Sequence, residues 1–232
     1  MRRLAPVALF ALAMAYLEAA VVVYLRRLVG VVEPWRDPGV YDATIAAVEF
    51  GREAATLLML ATLGWACGRN VQTRTGFALF AFGVWDILYY LWLKVLVGWP
   101  GSFLTPDILF LIPLPWWGPV ITPLLVAGLL AAAGAAAIAL DDRGLPLRPG
   151  MLDWMLMAWG TLLVLFAFMA DAIAALPATA EVLAGLRPSG FRWGTYAAGW
   201  LLMAFGIARP VAAANRRRPQ RESRSAATLT DR

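Results

Sequence analysis

The sequence predicts an all-α, polytopic membrane bundle of six spanning helices, with a short re-entrant or interfacial helix between spans three and four. Three observations carry that prediction. Hydrophobic residues make up 61% of the 232 residues and charged residues only 15%, with a mean hydropathy of +0.69. Soluble domains carry roughly 45–50% apolar and about 25% charged residues, so this chain has too little polar surface to face water all round. Six apolar runs approach the roughly 20 residues that a helix needs to cross the hydrocarbon. The cationic residues, finally, are sorted between alternate connections. A soluble enzyme, a disordered chain and a disulfide scaffold are all excluded.

The first run, residues 4–25, follows Arg2-Arg3 and continues through Val21-Val22-Val23 to Leu25 before stopping at Arg26-Arg27. That is long for the apolar region of a secretory leader, so a retained helix is expected. Spans two and three follow at 43–66 and 77–97. Next comes Gly98 to Gly118, GWPGSFLTPDILFLIPLPWWG. Thr105-Pro106-Asp107 reads there as an N-cap, a proline at the first helical position and an acid at the positive dipole end. Pro113 ends this helix after about two turns, leaving 103–112 too short to cross. Spans four to six are expected at 119–140, 151–176 and 191–208. Residues 1–214 thus form the bundle. Residues 215–232 are polar, arginine-rich and without apolar periodicity, which predicts a disordered basic tail.

With six spans, thirteen of the twenty Lys and Arg fall on the side of the termini and five on the other, Arg52 and Lys94 lying within spans. The positive-inside rule then puts both termini in the cytoplasm and the chain in the inner (plasma) membrane. The tail suits anionic lipid rather than nucleic acid. A partner subunit or a second copy is the other candidate contact.

Absences narrow the chemistry. The chain has no histidine and one cysteine, Cys67, which removes histidine-ligated metals, the Ser-His-Asp triad and an intrachain disulfide. It has no P-loop, GxGxxG or GxSxG motif, and no cofactor is expected. Cys67, at the cytoplasmic end of span two, reads as packing.

Ionisable side chains at membrane depth are costly and mark candidate sites. They are Glu18, Glu49, Arg52, Glu53, Asp86, Lys94 and Asp171, all in the outer half or near the centre of the predicted spans. Spacing brings several together. Ala8, Ala11, Ala15, Glu18 and Val22 share one face of span one. Glu49 and Glu53 stack on span two with Thr56 below. Gly83, Asp86, Tyr90 and Lys94 form a single stripe on span three. The expected site is therefore one outward-opening pocket lined by Glu18, Glu49, Arg52, Glu53, Asp86, Tyr90, Lys94 and Asp171. Glu53 and Asp86, the deepest acids on adjacent antiparallel helices, approach each other there. Arg26, Arg27 and Arg36 lie at its mouth as contacts for an anionic headgroup.

Five acids against two bases leave −3, which a low-dielectric pocket holds only with bound protons, a bound cation or the mouth arginines folded over it. Oxygen ligands would suit Mg²⁺, Ca²⁺ or Mn²⁺. Trp85, Tyr89, Tyr90, Trp92, Trp99, Trp116 and Trp117 either grip a ligand or form the interfacial aromatic belt. Three function classes fit. One is a pocket binding or transporting a proton, metal cation or small solute. A second is a membrane enzyme that uses a carboxylate base on a lipid-linked substrate. The third is a non-catalytic subunit. Structural pairing is the competing reading of each charge: Arg52 with Glu49 in its own helix, and Lys94 as a snorkelling anchor.

Overall fold

The computed structural model describes residues 3–29, 43–179, 182 and 190–230. Six helices dominate them: α1 (Leu4–Val29), α2 (Ala43–Cys67), α3 (Val71–Val97), α4 (Ile121–Asp142), α5 (Met151–Ala175) and α6 (Trp193–Thr230). All but α2 are long and apolar enough to cross a membrane, which makes this a multi-pass membrane protein with its apolar helices against lipid. Helix α2 has 25 residues but carries Glu49, Arg52 and Glu53 in its first half.

Local chemistry sets the helix ends. Asn70 caps α3: its side-chain oxygen accepts from the Thr73 N–H at 2.9 Å, and the Thr73 hydroxyl accepts from the Asn70 N–H. At the other end Gly98 adopts φ 71°, and its N–H closes on the Lys94 carbonyl, a left-handed stop that favours glycine. At the start of α5 the Gly150 N–H donates to Asp153 at 2.8 Å.

Small residues set the packing. Helices α3 and α4 run antiparallel, with Gly83 against the Ala127 carbonyl and Ala131. A Cβ at Gly83 would overlap that backbone, so the close approach depends on the missing side chain. Gly160 and Gly199 join α5 to α6 in the same way. Helix α1 lies along α3 and α2 flanks α3, and Arg52 and Thr56 of α2 bind Glu18 of α1. An apolar cluster of Val7, Ala11, Met14, Ala15, Leu60, Phe77, Ala81, Trp85 and Ile138 fills the half of this group nearer the N-terminus. At that end Gln72 donates to the Ala137 carbonyl and accepts from the Leu147 N–H, both at 2.8 Å. Arg209 binds the Asp153 carboxylate at 2.7 Å.

One expectation is corrected. The segment after α3 is not a short helix but an antiparallel hairpin, β1 (Pro106–Phe110) with β2 (Trp116–Pro119). Asp107 pairs with Gly118 and Ile108 with Trp117, and the register shifts between Ile108 and Phe110. The backbone bonds Val120 to Thr105 and Ile121 to Phe103 extend the pairing outward. Pro113 and Pro115 make the turn, which a helix could not accommodate, and the Ile, Phe and Trp flanks suit strands. Thr105 bonds the Ser102 N–H instead of capping a helix. Helix α6 is continuous from Trp193 to Thr230. Ala, Arg, Gln and Glu propagate a helix that is already nucleated in the bundle.

Candidate functional site

The hairpin turns into the bundle. At its tip the Leu111 N–H donates to both carboxylate oxygens of Glu53, each at 3.0 Å. With a rise of about 1.5 Å per residue, Glu53 lies about 15 Å from the start of α2. Irregular backbone is tolerated at such depth only when enclosed by protein or lining a cavity. Here it does both.

A cavity of about 240 Å³ lies between the hairpin and helices α1 to α5. Five carboxylates line it: Glu18, Glu49, Glu53, Asp86 and Asp107, with Arg52, Thr56, Tyr89 and Tyr90. Phe82, Trp85, Phe110, Trp116, Trp117 and Phe168 add aromatic side chains to the wall. On the side nearer the N-terminus it ends against the apolar cluster described above.

Most of these carboxylates have partners. Arg52 forms an ion pair with Glu18 and binds Glu49 at 2.8 and 3.0 Å, so one guanidinium joins α1 to α2. Thr56 adds a hydrogen bond to Glu18 at 3.3 Å. Glu49 is 7% exposed and Glu53 5%, and burial of this kind is tolerable only with such pairing. Asp107 accepts from the Tyr90 hydroxyl at 3.0 Å and lies 4.0 Å from Arg26, which stacks over Trp99. Burial pushes the Asp107 carboxyl up to about 6, while Arg26, Tyr90 and the Ile108 N–H oppose the shift. Asp86 differs from the rest. It lines the cavity, feels the charge of Asp107, and makes no hydrogen bond or ion pair with any described residue.

Of the residues expected to share a pocket, Glu18, Glu49, Arg52, Glu53, Asp86 and Tyr90 come together on this cavity. Lys94 and Asp171 do not. Lys94 donates to the Gly98 and Pro100 carbonyls at 3.0 and 2.8 Å, capping the end of α3 as an anchor. Asp171 pairs with Arg192 at 3.9 Å, because α5 turns that face toward the start of α6. Glu53 and Asp86 line the same cavity, where Glu53 accepts from the Leu111 N–H. At the mouth, Arg26 is engaged by Asp107 and Trp99 rather than left for a headgroup. Arg27 is exposed, and Arg36 lies outside the described residues. Trp92 and Trp99 pack outside the cavity, Trp92 donating to the Leu12 carbonyl at 3.2 Å.

Asp107 and the hairpin backbone are the site features that sequence reasoning missed. A signal existed: two runs rich in Ile, Phe and Trp flank a turn containing Pro113 and Pro115, a strand–turn–strand pattern. It was outweighed by the helix-start reading of Thr105-Pro106-Asp107.

Among the described residues no three acidic or thiol side chains converge as a metal site. The chain matches no family model, no curated protein and no solved structure in comparisons with each.

Proposed function

We propose that this protein binds a small cationic solute in the hairpin-roofed cavity, with Asp86 as the counter-ion and α2 as a sixth span. The observation that carries the reading is the pairing pattern. If ionised, Glu18, Glu49 and Arg52 together leave one negative charge, Asp107 and Arg26 balance, and Glu53 is held by a backbone N–H. Among the described residues, Asp86 alone of these carboxylates faces the cavity without a hydrogen bond or ion pair. A carboxylate in a low-dielectric enclosure needs a compensating positive charge or a proton. Lipid-linked catalysis has less support, because Arg26, one of its three candidate headgroup contacts, is already engaged.

The arginine count supports both termini in the cytoplasm, so that the hairpin end faces outward. The apolar cluster of Val7, Ala11, Phe77 and Ile138 offers no polar route onward, which favours binding over conduction in this state. The test is titration calorimetry on the purified full chain in lipid nanodiscs with inorganic and organic cations. At least one cation binds to the wild type, and Asp86→Asn removes that binding without lowering the thermal midpoint. A wild type that binds no cation overturns the reading.

A further inference from the structure

We infer that the ligand of this cavity is a small organic ammonium carrying a neutral hydrogen-bond acceptor such as a hydroxyl, ether or carbonyl oxygen. The inference rests on the cation-binding reading above and names its substrate class. Three observations carry it.

The walls come first. Trp85, Tyr89, Tyr90, Phe110, Trp116, Trp117 and Phe168 crowd the cavity that Asp86 enters. Aromatic faces attract organic ammonium groups through the ring quadrupole, and together with a carboxylate they form the recurring cage for such cations. Inorganic cations keep strongly held water and prefer several oxygen ligands at once. Here the described acids supply no such convergence.

Size comes second. A volume of about 240 Å³ lies just below the roughly 300–1,000 Å³ of most ligand pockets. It suits a compact solute and is small for a lipid tail.

The third observation concerns donors without acceptors. The indole Nε1–H groups of Trp85, Trp116 and Trp117 are buried, with no hydrogen-bond partner among the described residues. Trp85 and Trp117 are only 4% and 5% exposed, and all three side chains line the cavity. Buried donors are seldom left unpaired, and an unpaired one calls for an unplaced group. A ligand acceptor supplies it. A neutral acceptor fits better than an anionic one, because Glu18, Glu49, Glu53 and Asp107 repel a second carboxylate.

The experiment compares three probes of similar size on the full chain in nanodiscs, read by calorimetry and by tryptophan fluorescence. Choline has both the charge and the acceptor. Tetramethylammonium has only the charge, and 3,3-dimethyl-1-butanol has only the hydroxyl. Choline binds at least tenfold tighter than tetramethylammonium and shifts the tryptophan emission, while the neutral alcohol does not bind detectably. Trp85→Phe and Trp117→Phe weaken both ammonium probes, choline by the larger factor, and so narrow the gap between them. Equal binding of choline and tetramethylammonium overturns the acceptor. Binding of Na⁺ or Mg²⁺ with neither ammonium overturns the organic class but leaves a cation site standing. If no cation binds, the inference and the proposed function fall together. The probe comparisons use the unmodified chain, so they decide even if a tryptophan variant fails to fold.

Discussion

The Leu111 N–H sits 3.0 Å from each carboxylate oxygen of Glu53, so a single acid on α2 holds the tip of a hairpin that belongs to the connection between α3 and α4. An N–H at a turn inside a bundle has no strand or water to bond, and leaving it bare costs about 1–3 kcal/mol. The charge on α2 thus meets a need created by the hairpin, and the hairpin in turn makes the charge tolerable.

That reciprocity gives the first prediction. Glu53→Leu strands the Leu111 donor and lowers stability by about 2 kcal/mol. Glu53→Gln keeps one acceptor and costs less. Thermal unfolding in detergent ranks the three proteins, and equal midpoints for Leu and Gln would refute the anchoring role.

Arg52 serves two carboxylates, and removing it is more damaging. Arg52→Met leaves Glu18 and Glu49 facing each other without a cation, costing about 3 kcal/mol by the rule for broken buried pairs. The triple variant Glu18→Gln, Glu49→Gln, Arg52→Met recovers part of that loss. Chemical denaturation of the single and triple variants measures the recovery.

Two glycines separate packing from propensity. Gly83→Ala drives a methyl into the Ala127 backbone and costs about 1–3 kcal/mol. Gly128→Ala meets nothing within 4 Å and is neutral or stabilising by up to about 1 kcal/mol. Unfolding midpoints of the two variants should move in opposite directions, or only the first should move.

Asp107 sets a pH dependence with a definite sign. Its carboxyl is raised from 3.8 to about 6 in the fold. The folded state therefore holds its proton more tightly than the unfolded chain does. Its contribution to stability is present below 3.8 and is lost as the pH rises through about 6. Arg26 and the Tyr90 hydroxyl limit the shift, and Asp86 faces the same cavity. The difference in midpoint between wild type and Asp107→Asn should move against the wild type between pH 4 and pH 7, and a flat difference would contradict the assignment.

Topology is tested independently of the cavity. Reporter fusions after Asp142 and after Arg224 both report cytoplasm. Cys67, the chain's single cysteine, reacts with a membrane-impermeant maleimide only after permeabilisation. A periplasmic reporter at either site contradicts a six-span reading with internal termini.

The bundle was legible from composition and apolar run length, because crossing a bilayer demands long apolar stretches whatever their neighbours. The observed starts at Leu4, Ala43 and Met151 follow from that one-dimensional constraint. Helical spacing likewise put Glu49 and Glu53 on one face, and Asp86 in line with Tyr90. The fate of each charge was not legible. Lys94 lies on the same stripe as Asp86, yet it folds back onto the Gly98 and Pro100 carbonyls. Asp171 finds Arg192, some twenty residues on. Which carboxylate stays unpaired depends on partners brought together by packing, and the hairpin supplies one of them, the Leu111 N–H that takes up Glu53. A stretch as short as 106–119 has too little periodicity to declare itself strand or helix. Its conformation is decided by the space between helices, where a paired hairpin satisfies its own backbone and leaves one donor for Glu53. The sequence by itself therefore determined that the chain enters a membrane and which charges go in with it. The tertiary structure decided which of those charges are neutralised, because pairing is a property of distances in space and not of spacing along a helix.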